Sequence, residues 1–121
     1  MSNSLTGRRR SFVAVQVTLT GGADRLLDLV NAVIAAETGM ATPPMVCADA
    51  CGHLVVQADL NTTSATILFG DALISSSRYG YQLAKGASQS YTSGNLNVIQ
   101  FGSMYALGAD GDLVNVEVMT Y

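Results

Sequence analysis

The chain has 121 residues, which is enough for one domain with a modest core. Hydrophobic residues make up 49% of it and charged residues only 12%, against roughly 25% charged in an ordinary soluble protein. Its exterior must therefore be covered by uncharged polar side chains or be partly buried against partners, and composition leaves both open. No apolar run approaches the ~18–20 residues of a membrane span, and no continuous apolar segment follows the N-terminal arginines. We therefore expect an intracellular product without a signal peptide.

Charge is unevenly distributed along the chain. The net charge is −3, yet three of the six basic residues are Arg8, Arg9 and Arg10. From Ser11 onward three basic and nine acidic residues remain, a balance of −6. Residues 1–10 are predicted to form a polar arm that binds an acidic groove of a protein partner, the alternative being a solvated, mobile terminus. Nucleic acid is the less favoured partner, since one arginine triplet on an acidic body is a weak electrostatic footprint.

Two different hydrophobic periods follow the arm. Residues 12–20 alternate apolar and polar positions, which predicts a strand with one buried face. The apolar residues after Gly21 and Gly22 recur instead at helical spacing: Leu26, Leu29, Val30, Val33 and Ile34. This pattern predicts a helix over residues 23–37, with Asp24 at its positive end and Gly39 as its C-terminal cap.

The sequence is predicted to be β-rich after Pro43 and Pro44. Strands are predicted over 54–58, 65–69, 79–83, 89–92 and 114–119, and short apolar runs occupy 96–101 and 104–107. The first two should form a hairpin around the turn 59–63, and Asp110-Gly111 predicts another hairpin before the last strand. Short strands with regular turn signals indicate an antiparallel β-sandwich, jelly-roll-like, as a single domain over residues 11–121.

Cys47, Cys51 and His53 are the one group of soft ligands in the chain. A structural zinc site takes four ligands, usually from two separated pairs, and no other cysteine or histidine is present. Two free thiols in a strand or loop are the favoured interpretation, and a disulfide or a metal site completed by Asp49 stays open. We predict no metal and no cofactor.

The acidic residues do not form a catalytic pattern. Asp59, Asp71, Asp110 and Asp112 all lie in turn contexts, where aspartate bonds its own backbone. A Cys–His nucleophilic pair would need a third orienting group, and Gly21-Gly22 lacks the further glycines and lysine of a phosphate-binding loop. The sequence therefore predicts no catalytic residues and no enzymatic activity.

Tyrosines are concentrated in the C-terminal half. On a strand, Tyr79 and Tyr81 point to the same face, and tyrosine is enriched in interface cores. With Arg8, Arg9 and Arg10, these two are the predicted partner-binding residues. Half-buried strand tyrosines with solvated hydroxyls, or a glycan site, are the alternatives.

Four segments of the chain resemble a group of small bacteriophage virion structural proteins. They are 54–63 (LVVQADLNTT), 67–71 (ILFGD), 81–88 (YQLAKGAS) and 104–112 (MYALGADGD). The shared pattern is a strand, an Asp/Asn turn, a strand ending in Gly-Asp, a Leu-x-x-Gly turn and a final Gly-x-x-Gly hairpin into a valine-rich strand. Ala87 stands where the family usually has an acidic residue, and the arm and helix lie outside the matched span, about 54–118.

The resemblance implies a capsid decoration or cement protein, or a small tail or head-fibre component, with no catalytic residue to carry over. It also implies a homo-oligomer, a trimer being favoured, and the major capsid protein or other virion proteins as partners. We therefore expect a non-enzymatic virion protein made in the host cytoplasm. The alternative function is a tail- or fibre-associated receptor- or glycan-binding module.

Overall fold

A computed structural model of the protein describes residues 12–38, 50–92 and 99–120. Within these ranges the chain forms one helix, one short 3-10 turn and nine strands. Their bounds, in chain order, are β1 Phe12–Thr18, β2 Asp24–Arg25, α1 Leu26–Thr38, β3 Ala50–Ala58, β4 Thr66–Gly70, β5 Tyr81–Ala84, β6 Ser88–Thr92, β7 Ile99–Gln100, a 3-10 turn Phe101–Ser103, β8 Tyr105–Leu107 and β9 Leu113–Thr120.

The strands form two antiparallel sheets. The larger sheet has the order β1-β9-β3-β6, with β7 also pairing with β3, and the smaller sheet has the order β2-β8-β4-β5. β4 and β5 pair directly, but most of the other connections cross from one sheet to the other, through α1 between β2 and β3. This alternation is the strand order of a jelly roll, so the predicted fold class is confirmed.

Valine alternation builds the core. Val114, Val116 and Val118 of β9 are buried beside Val13 and Val17 of β1, because every second side chain of a strand faces the opposite sheet. The smaller sheet contributes the buried side chains of Ile67, Phe69, Leu83 and Ala106. Helix α1 packs against β1 and β2 and buries Leu26, Leu27, Val30 and Ile34. Each fully buried side chain of this kind stabilises the fold by ~1.5–3 kcal/mol.

Two predicted hairpins are wrong, although their turns are present. β3 and β4 belong to different sheets, as do β8 and β9. Ala58, at the end of β3, bonds Gly86 and Ala87, and Asp59 N donates to the Leu113 carbonyl, so this end is anchored to other connections. The same turn chemistry serves a hairpin and a sheet-to-sheet crossing.

Other boundaries also differ from prediction. The helix begins at Leu26, because Asp24 lies in β2 opposite Ala106 and its carboxylate accepts bonds from Thr20 N and Oγ1 at 2.9 and 2.8 Å. Phe101, the last residue of the apolar run 96–101, begins the 3-10 turn. The arm with Arg8, Arg9 and Arg10, Gly39 and Cys47 lie outside the described residues. No helix within the described ranges is long and apolar enough to cross a membrane.

Candidate functional site

The outward surface of the larger sheet combines low charge with ordered amide side chains. We call it the amide face and define it by Ala14, Gln16, His53, Val55, Gln57, Ser88, Ser90, Asn115 and Glu117. Strand register aligns these residues in rows across the sheet. Among the strands the structure describes, Glu117 is the one charged side chain outside the two-residue β2. The other described charges lie in the helix or in connections between strands.

A ladder of hydrogen bonds runs across three strands of the amide face. Gln16 Nε2 donates to Asn115 Oδ1 at 3.0 Å. Asn115 Nδ2 donates to Gln57 Oε1 at 3.0 Å and to Asp59 Oδ1 at 2.9 Å. Gln57 Nε2 donates in turn to the Gly86 carbonyl at 3.1 Å. The amide side chains of this surface are therefore bonded to one another and to neighbouring groups.

Asp59 anchors the ladder at the end of β3. Its second carboxylate oxygen accepts a bond from Asn61 N at 2.9 Å, which fixes the carboxylate in the turn. The side-chain bond from Asn115, followed by the bond from Asn61 N, holds the pKa of Asp59 below its usual value. Asp59 thus stays ionised and accepts a hydrogen bond from the amide of Asn115. The sequence predicted only that Asp59 would bond the backbone of its own turn.

A shallow depression of about 390 Å³ lies on the amide face. Small side chains at Ala14 and Ser88 leave it open, and the half-buried Val55 supplies apolar surface beside the amides. Depressions with mixed lining and few charges match the composition of interface cores, which are depleted of charged residues. The geometry can receive a protruding side chain of a partner.

His53 lies beside Glu117 on this face, with 3.4 Å between Nε2 and Oε1. Cys51, two residues before His53, is a free thiol and fully buried. Burial raises the pKa of Cys51 despite a backbone hydrogen bond from His53, so the thiol stays protonated. In the described part of the chain, no three His, Cys, Asp or Glu side chains are grouped to hold a metal.

The two predicted partner-binding tyrosines have different surroundings in the structure. Tyr81, at the start of β5, stacks on Phe69 with ring centroids 5.3 Å apart, and the Tyr91 hydroxyl donates to its hydroxyl. Burial is the main cause that raises the pKa of both phenols. Tyr91 lies in β6, so this pair ties the edge strand of the smaller sheet to that of the larger. Tyr81 therefore has a structural role in addition to any role in binding.

Tyr79 precedes β5, so its predicted place in a strand is wrong. Its side chain is 44% exposed, beside a depression of about 270 Å³ that Asp71 and Arg78 also line. Arg78 pairs with Asp71 at 2.9 Å and, with the Leu73 N–H, lowers the pKa of Asp71. This connection offers an exposed aromatic ring next to a fixed ion pair.

Sequence reasoning assigned Asp112 to a turn and missed its burial. Asp112 is fully buried; its Oδ1 accepts Thr63 N, Thr63 Oγ1 and Ser64 N at 3.1, 2.8 and 3.1 Å, and its Oδ2 accepts Ala109 N at 2.8 Å. Burial alone raises the pKa of Asp112, but bonds from Ser64, Thr63, Thr62 and Ala109 outweigh it and hold that pKa well below its usual range. We call this cluster the Asp112 clasp.

The Asp112 clasp joins two connections about 50 residues apart in the chain. Its signal in the sequence was the run Thr62-Thr63-Ser64, which supplies donors that a buried carboxylate needs. The amide ladder had a signal too: Gln16, Gln57 and Asn115 each occupy an outward position between apolar residues. Neither pattern identifies the distant residues to which these side chains bond, because that depends on the fold.

Few similarities connect this chain to known proteins. No family model matches the chain, and no curated protein matches it. Among solved structures, a chain described under "Bacillus endospore appendages form a novel family of disulfide-linked pili" is 16% identical, with a TM-score of 0.44 over 92% of this chain and 82% of that one.

Proposed function

We propose that this protein is a non-enzymatic structural subunit of a larger protein assembly, and specifically a decoration or cement protein of a bacteriophage head. The observation that carries the proposal is the amide face: a wide, nearly uncharged sheet surface whose amide groups are already hydrogen-bonded. The bacteriophage assignment is supported by the sequence resemblance over residues 54–118.

The amide ladder lowers the cost of docking. A polar group that loses water without gaining a partner costs about 1–3 kcal/mol. Asn115 and Gln57 already donate to neighbours at 2.9–3.1 Å, so covering them with another protein leaves few bonds unmade. The bonds also fix the side chains before docking, which reduces the entropy lost on binding. Such a surface suits a neighbouring subunit with a similarly uncharged face.

Charge distribution favours the same surface. The described strands present one carboxylate on this face, that of Glu117, and His53 lies beside it. The acidic side chains of the connections and helix would repel another acidic surface, whereas the amide face would not. A neighbouring subunit therefore approaches this face at the lowest electrostatic cost.

The N-terminal arm adds a second contact in the proposal. It precedes β1, which is an edge strand of the same sheet, and Phe12 at that junction is 52% exposed. Arg8, Arg9 and Arg10 would bind an acidic groove of the neighbouring subunit, as predicted from the sequence. Arm and amide face together would stabilise the assembled shell, because a partner that binds only the assembled state favours it.

The test is particle association of two matched variants. Ala14 and Ala84 are both exposed strand residues, on the outer faces of the larger and smaller sheets respectively. We expect Ala14→Lys to reduce the amount of protein on purified particles by about tenfold or more, because it places a charge in the docking surface. Ala84→Lys should bind as the parent does. Equal binding of all three proteins, with folding verified by circular dichroism, would show that the amide face is not the docking surface.

A receptor- or glycan-binding module is the second candidate. It is favoured by Tyr79, whose exposed ring borders a depression with the Asp71–Arg78 ion pair. Sugars stack on such rings, and fixed charged groups can accept and donate bonds to their hydroxyls. On a carbohydrate array this function predicts saturable binding that Tyr79→Ala abolishes. Tyr79→Ala tests binding more directly than Tyr81→Ala, since Tyr81 also stacks on Phe69 and its removal would affect the fold.

A further inference from the structure

β1 forms one edge of the larger sheet, and β6 forms the other, where β7 also pairs with the start of β3. β1 packs against α1. β6 pairs with β3 without interruption, from His53–Thr92 to Gln57–Ser88, and within the described ranges no strand pairs with its other side. β6 therefore presents one row of main-chain groups away from the sheet.

Hydrogen-bond alternation identifies which groups those are. Ala58 N donates to the Ala87 carbonyl, and the Ala58 carbonyl accepts a bond from Gly86 N, so Ala58 is a hydrogen-bonding position of β3 toward β6. In an antiparallel ladder such positions recur at every second residue, so Gln89 and Tyr91 bond β3 while Ser88, Ser90 and Thr92 point their N–H and C=O groups outward. The contacts of the Ser90 carbonyl are consistent with this orientation, since it accepts a long bond of 3.4 Å from the Gln89 side chain.

The side chains of β6 leave this edge unprotected. Natural sheet edges are usually blocked by charged residues, prolines, bulges or a covering element, because an open edge pairs with other strands. The sequence of β6, SQSYT, contains no charge and no proline, and its register with β3 contains no bulge. Ser88, Gln89, Ser90 and Thr92 are all exposed.

We propose that β6 pairs antiparallel with β6 of a second copy of this chain, centred on Ser90. This register places Ser90 opposite Ser90 and Ser88 opposite Thr92 of the second copy. All outward groups then find partners, in about six main-chain hydrogen bonds. The contact is two-fold and self-complementary, and it joins two larger sheets, with their amide faces, into one continuous sheet.

A second copy is the occupant that the side chains fit. On the outer side the pairing sets serine against threonine, a favourable cross-strand combination, and on the inner side Gln89 against Tyr91. No like charges meet along the strand, because β6 has none. The inference stands apart from the proposed virion role, and the trimer predicted from the resemblance would use a different surface.

Self-association can be measured by sedimentation velocity across about a hundredfold range of concentration. We expect a species of twice the 12.6 kDa chain mass. Ser90→Pro should weaken dimerisation by about tenfold or more, because it removes an outward N–H while β3 bonds its neighbours. Ser76→Pro is the matched control: it lies in the turn closed by Arg78 N and the Ser75 carbonyl and should leave the dimer intact. A parent chain that stays monomeric would overturn the inference, as would an unchanged dimer in Ser90→Pro.

Register is tested by oxidation in a Cys47→Ser background. In the proposed pair the two Ser90 Cα atoms lie about 5.5 Å apart, within the roughly 4.4–6.8 Å that a disulfide spans. Ser90→Cys should therefore form a covalent dimer on mild oxidation, whereas Ser76→Cys should not. Equal cross-linking of both variants, or cross-linked polymers in place of dimers, would contradict two-fold pairing through β6.

Discussion

The Asp112 clasp and the amide face use the same chemistry in opposite settings. Each centres on a carboxylate at one end of a turn, and each includes a bond to a residue about 50 positions away in the chain. The carboxylate of Asp112 is fully buried, whereas the amides around Asp59 lie on an accessible sheet surface. Burial decides what loss of a bond costs, because the carboxylate of Asp112 has no access to water, whereas the amide side chains of the face are half-buried or exposed. The clasp is therefore suited to stabilise the fold and the face to bind a partner.

The largest effect is expected at the clasp. Asp112→Ala leaves Thr63 N, Ser64 N and Ala109 N without their acceptor, and at ~1–3 kcal/mol for each unsatisfied group the free energy of unfolding should fall by at least ~3 kcal/mol. Urea denaturation measures the loss. Asp110→Ala is the neighbouring control, exposed and expected to change stability by less than ~0.5 kcal/mol. Similar losses in both variants would mean that the clasp bonds of Asp112 do not stabilise the fold.

Acid should act through the same carboxylate. The pKa of Asp112 is lowered in the folded state, against about 3.9 in an unfolded chain. A lowered folded pKa stabilises the protein above the unfolded value, and this stabilisation is lost as the pH falls toward the folded value. The parent should lose stability below about pH 5, and Asp112→Asn should lose less over that range. Asp59 and Asp71, whose pKa values are also lowered, supply the remaining dependence, so parallel curves for parent and variant would contradict this role.

The tyrosine pair should give an intermediate effect. Tyr91→Phe removes the donor to the half-buried Tyr81 hydroxyl but keeps the ring contact between β5 and β6. One hydrogen bond contributes about 0.5–1.5 kcal/mol, and the unfolding free energy should fall by that amount. Thermal and urea unfolding measure it. A loss of unfolding free energy as large as that of Asp112→Ala would mean that burial does not determine how much each site contributes to stability.

The smallest loss of stability is expected on the amide face. Asn115→Ala removes the residue that links Gln16, Gln57 and Asp59, yet these groups can bond water instead, so the cost should stay below ~1 kcal/mol. Particle association should nevertheless fall, because the freed groups must then be desolvated on docking. Unchanged association together with a large loss of stability would reverse the roles assigned to the two clusters.

The sequence predicted the positions of the helix and strands better than it predicted which strands pair. The alternation at Val114, Val116 and Val118 and the spacing of Leu26, Val30 and Ile34 are local, so the strand β9 and the helix could be located. Strand pairing is not local: the turn at 59–63 is compatible with a hairpin, and its anchoring to Leu113 and Asp112 depends on residues about 50 positions away. The same reason hid the burial of Asp112 and the ladder from Gln16 to Asn115.

The central claim is that this protein is a structural subunit present throughout a particle. Quantitative mass spectrometry of purified phage heads, with labelled peptides of this chain and of the major shell protein, measures their ratio directly. The proposal predicts a fixed ratio set by the shell lattice, lowered in the Ala14→Lys variant and unchanged in Ala84→Lys. Absence of the protein from particles, or trace amounts that vary between preparations, would contradict the proposal.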